Sequence, residues 1–241
     1  MGINAVQGLL DHAPGQLVRV WLRPGGKRLE TLEARLADLG VAVEHADQQT
    51  LGRLAGKVRH QGVIAEFRPR APIDEHALER YVESAGDQAL LLVLDGVQDP
   101  HNLGACLRTA AAAGATAVVV PKDRAVSLTP AARRAAAGAA ERIPLAVVTN
   151  LARTLRHLGG QGVWRLGLDA GVEEPLFETE LSGSLALVLG GEEKGLRRLT
   201  REHCDRLVAI PMPGGMESLN VSVAAGIALF SAVARRMSAC Q

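Results

Sequence analysis

The sequence has 241 residues, of which 47% are hydrophobic and 22% are charged, and its formal net charge is +1. This length suits one large domain or two smaller ones, and the composition is typical of a soluble globular protein. Aromatic residues make up only 2% of the chain. Few side chains can therefore stack on unpaired bases, so any nucleic-acid binding would rest on shape, phosphate and ribose contacts.

The cysteines indicate a reducing compartment. Cys106, Cys204 and Cys240 lie far apart, and their spacing matches no metal site or disulfide framework. The histidines are scattered, which argues against a metal site and against a Ser-His-Asp triad. The sequence begins without a secretory signal, and no apolar run approaches the roughly 20 residues that span a membrane. We therefore expect a cytoplasmic protein with no membrane partner and no bound metal.

The first seventy residues alternate between helical and strand patterns, which predicts a small α/β domain over residues 1–70. Gly40 is the expected end of the second helix. The segment HQGVIAE, from His60 to Glu66, could be an RNA-facing edge or the start of a strand, and we favour the strand. The predicted helices cover residues 3–13, 27–40 and 49–56, and the predicted strands cover residues 17–22, 41–46 and 62–69.

Residues 71–88 differ in composition from the sequence on either side. Prolines at positions 69 and 72 end the preceding strand, and an acidic, helical segment follows. We interpret residues 71–88 as a linker, followed by a second domain over residues 89–241.

The second domain shows uninterrupted apolar runs that alternate with helical patterns. Such runs predict a parallel sheet that is covered on both faces, so the fold class is α/β. Thr129 and Pro130 predict the start of one helix. Ligands of parallel sheets bind beyond the carboxyl ends of the strands, which directs attention to three loops that follow strands. The predicted strands cover residues 90–96, 116–122, 142–148, 163–169, 185–191 and 206–212.

The first loop reads DPHNLGACLRTAAAAGA and begins at Asp99. Asp99 and Pro100 initiate a turn, and Asn102 is predicted to open a helix, where it could be an ordinary cap. Arg108 interrupts a helix of otherwise small, apolar residues. Its side chain could extend to solvent or bind a ligand, and this loop alone does not decide between the two.

The second loop reads LVLGGEEKGL and contains Gly190, Gly191 and Glu192. The glycines would let the backbone approach a ligand closely. The loop is neither a Walker motif, because no Ser or Thr follows the lysine, nor a dinucleotide fingerprint. The alternative is a simple turn whose acidic residues favour the start of a helix.

The third loop reads IPMPGGMESLNVSVAAGIALF and begins at Ile210. Ser218 is the predicted cap of the apolar helix that follows, which leaves Asn220 without a structural role. Hydroxyl and amide groups at the start of a helix can bind a phosphate or a sugar. An ordinary capped helix remains the alternative for this stretch.

Taken in order, the three loops resemble the three motifs of the SpoU family of RNA ribose 2′-O-methyltransferases, also called the TrmH family. The resemblance covers residues 90–238, and three motifs in the right order and spacing are highly specific. The segments INAVQGLL and HQGVIAE further resemble a subgroup that methylates a guanosine of large-subunit ribosomal RNA, in the peptidyl-transferase region.

The resemblance implies features that the residue pattern does not. It implies a deep trefoil knot in the C-terminal part of the sheet domain, which binds S-adenosylmethionine, and a homodimer. Knots are so rare that pattern reasoning alone would exclude one. It also implies that the N-terminal domain resembles an RNA-binding fold of certain ribosomal proteins.

Residue roles follow from the motif positions. Glu193 departs from the family, where a small residue is often found. The positions associated with catalysis are Asn102, Arg108, Glu192, Ser218 and Asn220. The positions whose backbone holds the methyl donor are Gly190, Ile210 and Leu219.

The chemistry requires that a ribose 2′-OH, a poor nucleophile, lose its proton. Proposals for the family assign this proton to Arg108, but guanidinium groups keep their protons at neutral pH. We expect Arg108 to bind the phosphate beside the target ribose through its bidentate fork. Asn102, Ser218 and Asn220 would then orient the ribose, and Glu192 would order its loop.

Three other functions remain possible at this point. The chain could methylate transfer RNA, although tRNA enzymes of the family usually lack an N-terminal domain of this type. It could be an RNA-binding protein that has kept the fold without catalysis. A dinucleotide-dependent oxidoreductase is disfavoured by the missing glycine fingerprint.

Overall fold

A computed structural model of the chain describes residues 2–56, 60–192 and 195–239. Glu193 and Cys240 lie outside these ranges. The chain divides into two compact units, of which the first comprises residues 1–71 and 137–142 and the second comprises residues 72–136 and 143–241.

The first unit is a three-stranded sheet with helices, and its elements lie within two residues of the predicted ones. Its helices are α1 (Ile3–His12), α2 (Lys27–Asp38) and α3 (Gln48–Ala55), and its strands are β1 (Leu17–Leu22), β2 (Ala42–His45) and β3 (Val63–Phe67). The strand order is β2-β1-β3, with β2 parallel and β3 antiparallel to β1.

The core of this unit follows from the apolar faces of its helices. On α2, Leu29, Leu32 and Leu36 recur at helical spacing and are buried. They share a core with Val6 of α1 and with apolar residues of β1 and β3. Gly40 has a φ of 66°, a left-handed conformation in which glycine has no Cβ penalty, so the helix ends near the predicted position.

Most of the segment predicted as a linker is built into the second unit. It contains α4 (Glu75–Ala85), in which Leu78 and Val82 lie one turn apart and are buried in that unit's core. Ile73 donates its backbone N–H to the carbonyl of Leu145 at 2.8 Å. The acidic residues of this segment indicate an exposed linker, but α4 also has an apolar face that is buried in the core.

The second unit contains a six-stranded sheet in which every pair of neighbouring strands is parallel, as predicted. The strand order is β6-β5-β4-β8-β7-β9. The strands are β4 (Leu90–Asp95), β5 (Ala117–Pro121), β6 (Leu145–Val148), β7 (Trp164–Leu168), β8 (Leu185–Gly190) and β9 (Arg206–Val208). The remaining helices are α5 (Pro100–Ala112), α6 (Pro130–Ala135), α7 (Leu151–Gly160), α8 (Arg198–Glu202) and α9 (Val221–Ala239).

Both faces of this sheet are covered, which explains the uninterrupted apolar runs. All six residues of β4 are buried. Leu91 and Val93 point into a core formed with residues of α4 and α7. The alternate residues of β4 point to the opposite face, on which α9 contacts both α5 and β8.

The start of α6 shows how local sequence sets an element boundary. Thr129 accepts a hydrogen bond from the backbone N–H of Ala132 at 3.2 Å, and Pro130 is the first residue of α6, as predicted.

The carboxyl ends of all six strands lie at one edge because the strands are parallel. The loops after β4, β8 and β9 therefore leave the sheet at this edge.

The last helix, α9, combines an apolar composition with a polar attachment near its end. Residues Val221–Ser238 are long and apolar enough to cross a membrane by length and composition, with a mean hydropathy of 1.3. Core helices pass the same test, so it is weak support for a span. Arg236 donates hydrogen bonds to the carbonyls of Gln88, Ala89 and Gly183, which fixes this end of α9 near the amino ends of β4 and β8.

Candidate active site

The start of α9 is capped by Asn220, and the expectation that Ser218 caps it is wrong. Asn220 Oδ1 accepts hydrogen bonds from the backbone N–H of Ser222 at 2.9 Å and from its hydroxyl at 2.6 Å. The Asn220 carbonyl also accepts the backbone N–H of Ala224, which is the first intrahelical bond. Ser218 lies two residues further out and is exposed.

The cap determines how the Asn220 amide is oriented. A backbone N–H can only donate, so the side-chain oxygen of Asn220 must face Ser222 and its NH₂ group must face away. This Nδ2 donates to Asn102 Oδ1 at 3.0 Å. Asn102 then donates through its own Nδ2 to Glu192 Oε1 in a short hydrogen bond. Every donor in this chain of bonds therefore points from α9 towards Glu192.

Asn102 can join the two other loops because it does not cap its own helix. The expectation that Asn102 opens the helix is wrong, since α5 begins at Pro100. Asp99 is the cap, and its Oδ1 accepts the backbone N–H of His101 at 2.8 Å. Asn102 therefore lies inside the first turn of α5, with its amide directed at Glu192 and Asn220.

The structure does not bring all the predicted catalytic residues into contact. Arg108 is exposed on α5, and within residues 2–56, 60–192 and 195–239 it makes no hydrogen bond or ion pair. Ser218 lines a cavity beside the three linked residues and is not bonded to them.

That cavity has a volume of about 250 Å³ and lies beyond the carboxyl ends of β7, β8 and β9. The three residues predicted to hold a ligand through their backbone, Gly190, Ile210 and Leu219, all line it. Glu192 also lines it, so the linked amides and the cavity are adjacent. The other lining side chains are mostly apolar: Leu168, Leu189, Leu196, Met212, Val221 and Ala224.

Glycine is required at position 190 because the loop that follows it folds back against its Cα atom. A Cβ at this position would lie 1.9 Å from the carbonyl carbon of Gly195, so any side chain would push the loop open. The wall of the cavity at this point is therefore bare backbone.

Two carboxylates line the cavity. Glu192 is one, and Asp169, which follows β7, is the other. Asp169 pairs with Arg201 and accepts the backbone N–H of Gly171 at 2.8 Å. The sequence analysis does not single out Asp169, although it is the polar residue that ends the predicted strand over residues 163–169.

The site offers neither a thiolate nor a metal centre in the part of the chain that is described. Burial, and secondly the charge of Glu192, raise the pKa of the Cys106 thiol to about 12, so it stays protonated. No group of three or more His, Cys, Asp or Glu side chains among the described residues could hold a metal ion. The geometry instead offers amide and carboxylate groups beside an apolar cavity.

Comparison with known proteins identifies the family. Residues 89–230 match the sequence model of the SpoU rRNA methylase family, and this match spans all three linked loops. The chain belongs to the SpoU rRNA methylase family. Residues 1–72 match a second model, described as RNA 2′-O ribose methyltransferase substrate binding.

Similar proteins cover nearly the whole chain. A Xanthomonas axonopodis pv. citri protein named 23S rRNA (guanosine-2′-O-)-methyltransferase RlmB is 52% identical over 99% of this chain and 97% of its own length. A solved RNA 2′-O ribose methyltransferase is 26% identical, with a TM-score of 0.75, and the match covers 98% of this chain and 87% of that one.

A third similarity concerns the fold alone because of its low identity. The SpoU methyltransferase AviRb from Streptomyces viridochromogenes, in complex with the cofactor AdoMet, is 22% identical, with a TM-score of 0.77. The match covers 99% of this chain and 90% of that one.

Substitution of Asn220 separates its two roles. Asn220→Asp keeps an acceptor for the Ser222 N–H but cannot donate to Asn102, so we expect the free energy of unfolding to stay within about 0.5 kcal/mol of the wild type. We expect single-turnover methyl transfer to RNA to fall about 100-fold. Asn220→Ala should lose the same activity and about 1 kcal/mol of stability as well. Wild-type turnover in Asn220→Asp would show that the bond to Asn102 is dispensable.

Proposed function

We propose that this protein transfers a methyl group from S-adenosylmethionine to the ribose 2′-OH of a guanosine in 23S ribosomal RNA, in the peptidyl-transferase region. The observation that carries the proposal is the directed chain of bonds from Asn220 through Asn102 to Glu192, at the rim of an apolar cavity. The substrate follows from the RlmB relatives, which are about half identical over nearly the full length.

The cavity suits a methyl donor of this kind. Its apolar walls fit an adenine and an aliphatic chain, and the carboxylate of Glu192 favours a cation such as a sulfonium. Gly190, Ile210 and Leu219 would bind the donor through backbone groups, since bare backbone forms the wall at Gly190. When bound, the sulfonium supplies a methyl group that is already activated.

The ribose would lie on the polar side of the same rim. The Asn220 Nδ2 group has a second N–H, and Ser218 lines the cavity, so both residues can hydrogen-bond the ribose. Asn102 uses its oxygen and one N–H within the chain of bonds, and it fixes Glu192 relative to Asn220. Such positioning reduces a barrier by several kcal/mol.

Arg108 would act on the RNA backbone. Its guanidinium is exposed and uncommitted in the described part of the chain, which suits a phosphate ligand better than a role in the bonded network. The phosphate next to the target ribose would thereby be fixed, and the 2′-OH would be held towards the donor. This arrangement requires a ribose, so DNA would not react.

The first unit would bind the RNA substrate, as a fold resembling that of certain ribosomal proteins. Its polar residues meet at one edge of the sheet: Arg23 follows β1, Gln48 opens α3 after β2, and His60 precedes the antiparallel β3. Arg23 Nη1 donates to Gln48 Oε1 at 3.5 Å, and the three residues line a cavity of about 440 Å³. The arginine and the amide suit the phosphates and base edges of RNA.

The second unit would be the methyltransferase domain, tied in a trefoil knot. The course of the chain supports this topology, since β9 lies at one edge of the sheet and α9 returns to β8 and α5 near its centre. On this return, residues between β9 and α9 line the donor cavity together with the ends of β7 and β8.

The exposed face of α9 would bind a second copy of the chain, giving a cytoplasmic homodimer. Val223, Phe230 and Met237 recur every seven residues and are 50%, 47% and 68% exposed. Residues at this spacing share one helix face, and a stripe on a single helix can pair with its own copy across a two-fold axis. Such pairing would cover an apolar surface without a membrane.

A tritiated methyl-transfer assay tests the function. We expect the protein to label unmodified 23S ribosomal RNA and leave bulk tRNA unlabelled, with ribose-methylation mapping placing the label on one guanosine. Label on tRNA alone would contradict the assignment of 23S ribosomal RNA as the substrate. Label on neither RNA would favour a binding protein without catalysis.

Replacement of Arg23 tests the role of the first unit. Arg23→Ala should weaken the binding of ribosomal RNA to the full-length protein and reduce the slope of log K against log[salt] by roughly 0.7 to 0.9, because one phosphate contact is lost. Fluorescence anisotropy across a salt series measures both. Arg35→Ala removes an exposed arginine of the same unit that pairs with Asp11, and should leave the slope unchanged. Equal slopes for all three proteins would refute the contact.

Sedimentation equilibrium tests the dimer. Phe230→Glu places a charge in the exposed stripe of α9, so we expect a monomer in place of the wild-type dimer. Leu199→Glu alters a residue of α8 that is 50% exposed, and should remain dimeric. A dimeric Phe230→Glu variant would exclude α9 as the interface.

A further inference from the structure

Asp95, the last residue of β4, binds both ends of the loop between β8 and α8. Its Oδ2 accepts the backbone N–H of Arg197 at 2.9 Å, and its Oδ1 receives the guanidinium of the same residue. Its backbone carbonyl accepts the N–H of Gly191 at 3.0 Å. Gly191 and Arg197 are the first and last residues of this loop.

Glu192 is carried by the same loop, immediately after Gly191. The loop also closes on itself, because the backbone N–H of Gly195 donates to the Gly191 carbonyl at 3.0 Å. A Cβ on Gly191 would lie 2.8 Å from the carbonyl oxygen of Gly96, so β4 and this loop are in direct backbone contact. The position of Glu192 therefore depends on the end of β4.

Folding stability does not explain why a charged residue occupies position 95. Its side chain is completely buried, and a buried ion pair costs so much desolvation that apolar residues of the same size are often as stable. A carboxylate and a guanidinium do, however, fix each other's orientation, and here Nε and Nη2 of the planar Arg197 fork both contact Asp95 Oδ1. The Asp95 pair adds a backbone N–H to this arrangement, so it sets the path of the chain as well as a side chain.

We propose that Asp95 is a positioning residue for Glu192. By holding Gly191 and Arg197, it places the Glu192 carboxylate where Asn102 can donate to it, and so aligns Asn102 with Asn220. Asp95 does not reach the substrate, since its side chain has no exposed surface. The inference rests on the proposed function for its kinetic readout only.

Substitution of Asp95 by the isosteric Asn tests the role. Asp95→Asn keeps the volume and the backbone bond to Gly191 but loses the charge and one acceptor. We expect the single-turnover rate of methyl transfer to fall between about 10-fold and 100-fold, with KM for RNA unchanged. If this variant does not fold, Arg197→Lys keeps the charge, loses the fork and should show the same loss.

A double-mutant cycle distinguishes positioning from general stabilisation. If Asp95 acts through Glu192, Asp95→Asn should change the rate less than about 2-fold in a Glu192→Ala background. A loss in that background as large as in the wild type would overturn the proposal. An unchanged rate in Asp95→Asn alone would overturn it as well.

Asp205 provides a matched control. It also receives the backbone N–H, Nε and Nη2 of one arginine, Arg165, but towards the amino end of β7, away from the cavity. Asp205→Asn should lower the thermal midpoint and leave the rate within about 2-fold of the wild type. An equal loss of rate in this variant would contradict a specific role for Asp95.

Hydrogen exchange gives a readout that does not depend on activity. In Asp95→Asn, the Arg197 amide, which donates to the Asp95 side chain, should exchange at least about 10-fold faster, while the Val93 amide inside β4 should be unchanged. If the wild-type chain transfers no methyl group, the proposed function fails, and this measurement still decides whether Asp95 holds the loop. Unchanged protection at the Arg197 amide would overturn the proposal.

Discussion

The backbone N–H of Ser222 has no acceptor within α9, and it takes one from the side chain of Asn220. This ordinary requirement of a helix start determines the polarity of the whole site. It turns the Asn220 amide so that its NH₂ meets Asn102, and Asn102 in turn directs its NH₂ at Glu192. The cap of α9 and the geometry of the site therefore depend on the same set of hydrogen bonds, which join residues far apart in the sequence.

The parallel sheet confines this arrangement to one edge. Both faces of the sheet are buried, so polar groups can be satisfied only where the strands end. Asp95 and Gly190 are the last residues of adjacent strands and are partners in the register of β4 and β8. The apolar interior of the sheet stabilises the fold, and the edge at the carboxyl ends of the strands carries the polar groups of the site. A change in one of these regions can therefore be tested with little effect on the other.

Much of the fold could be predicted because the apolar runs are long and the turn signals are strong, as at Thr129 and Gly40. The site is harder to predict from sequence, because a cap depends on where a helix begins. Ser218, Asn220, Asp99 and Asn102 are all suitable cap residues. The sequence does not say which of them the helix will use. The charge of residues 71–88 indicates a linker, although Leu78 and Val82 pack into the core of the second unit. The contacts of Asp95 join residues about one hundred positions apart, beyond any local pattern.

The chain of bonds from Asn220 to Glu192 also limits how a proton can travel. A hydroxyl or a water molecule can accept one proton and release another, but a side-chain amide donates from nitrogen and accepts at oxygen without exchanging the two. Asn102 and Asn220 therefore orient groups and do not conduct protons between them. A proton released by a ribose hydroxyl near Asn220 cannot reach Glu192 through the amides. It must pass directly to a neighbouring base or to water, and Glu192 can receive it only if the ribose itself lies within reach.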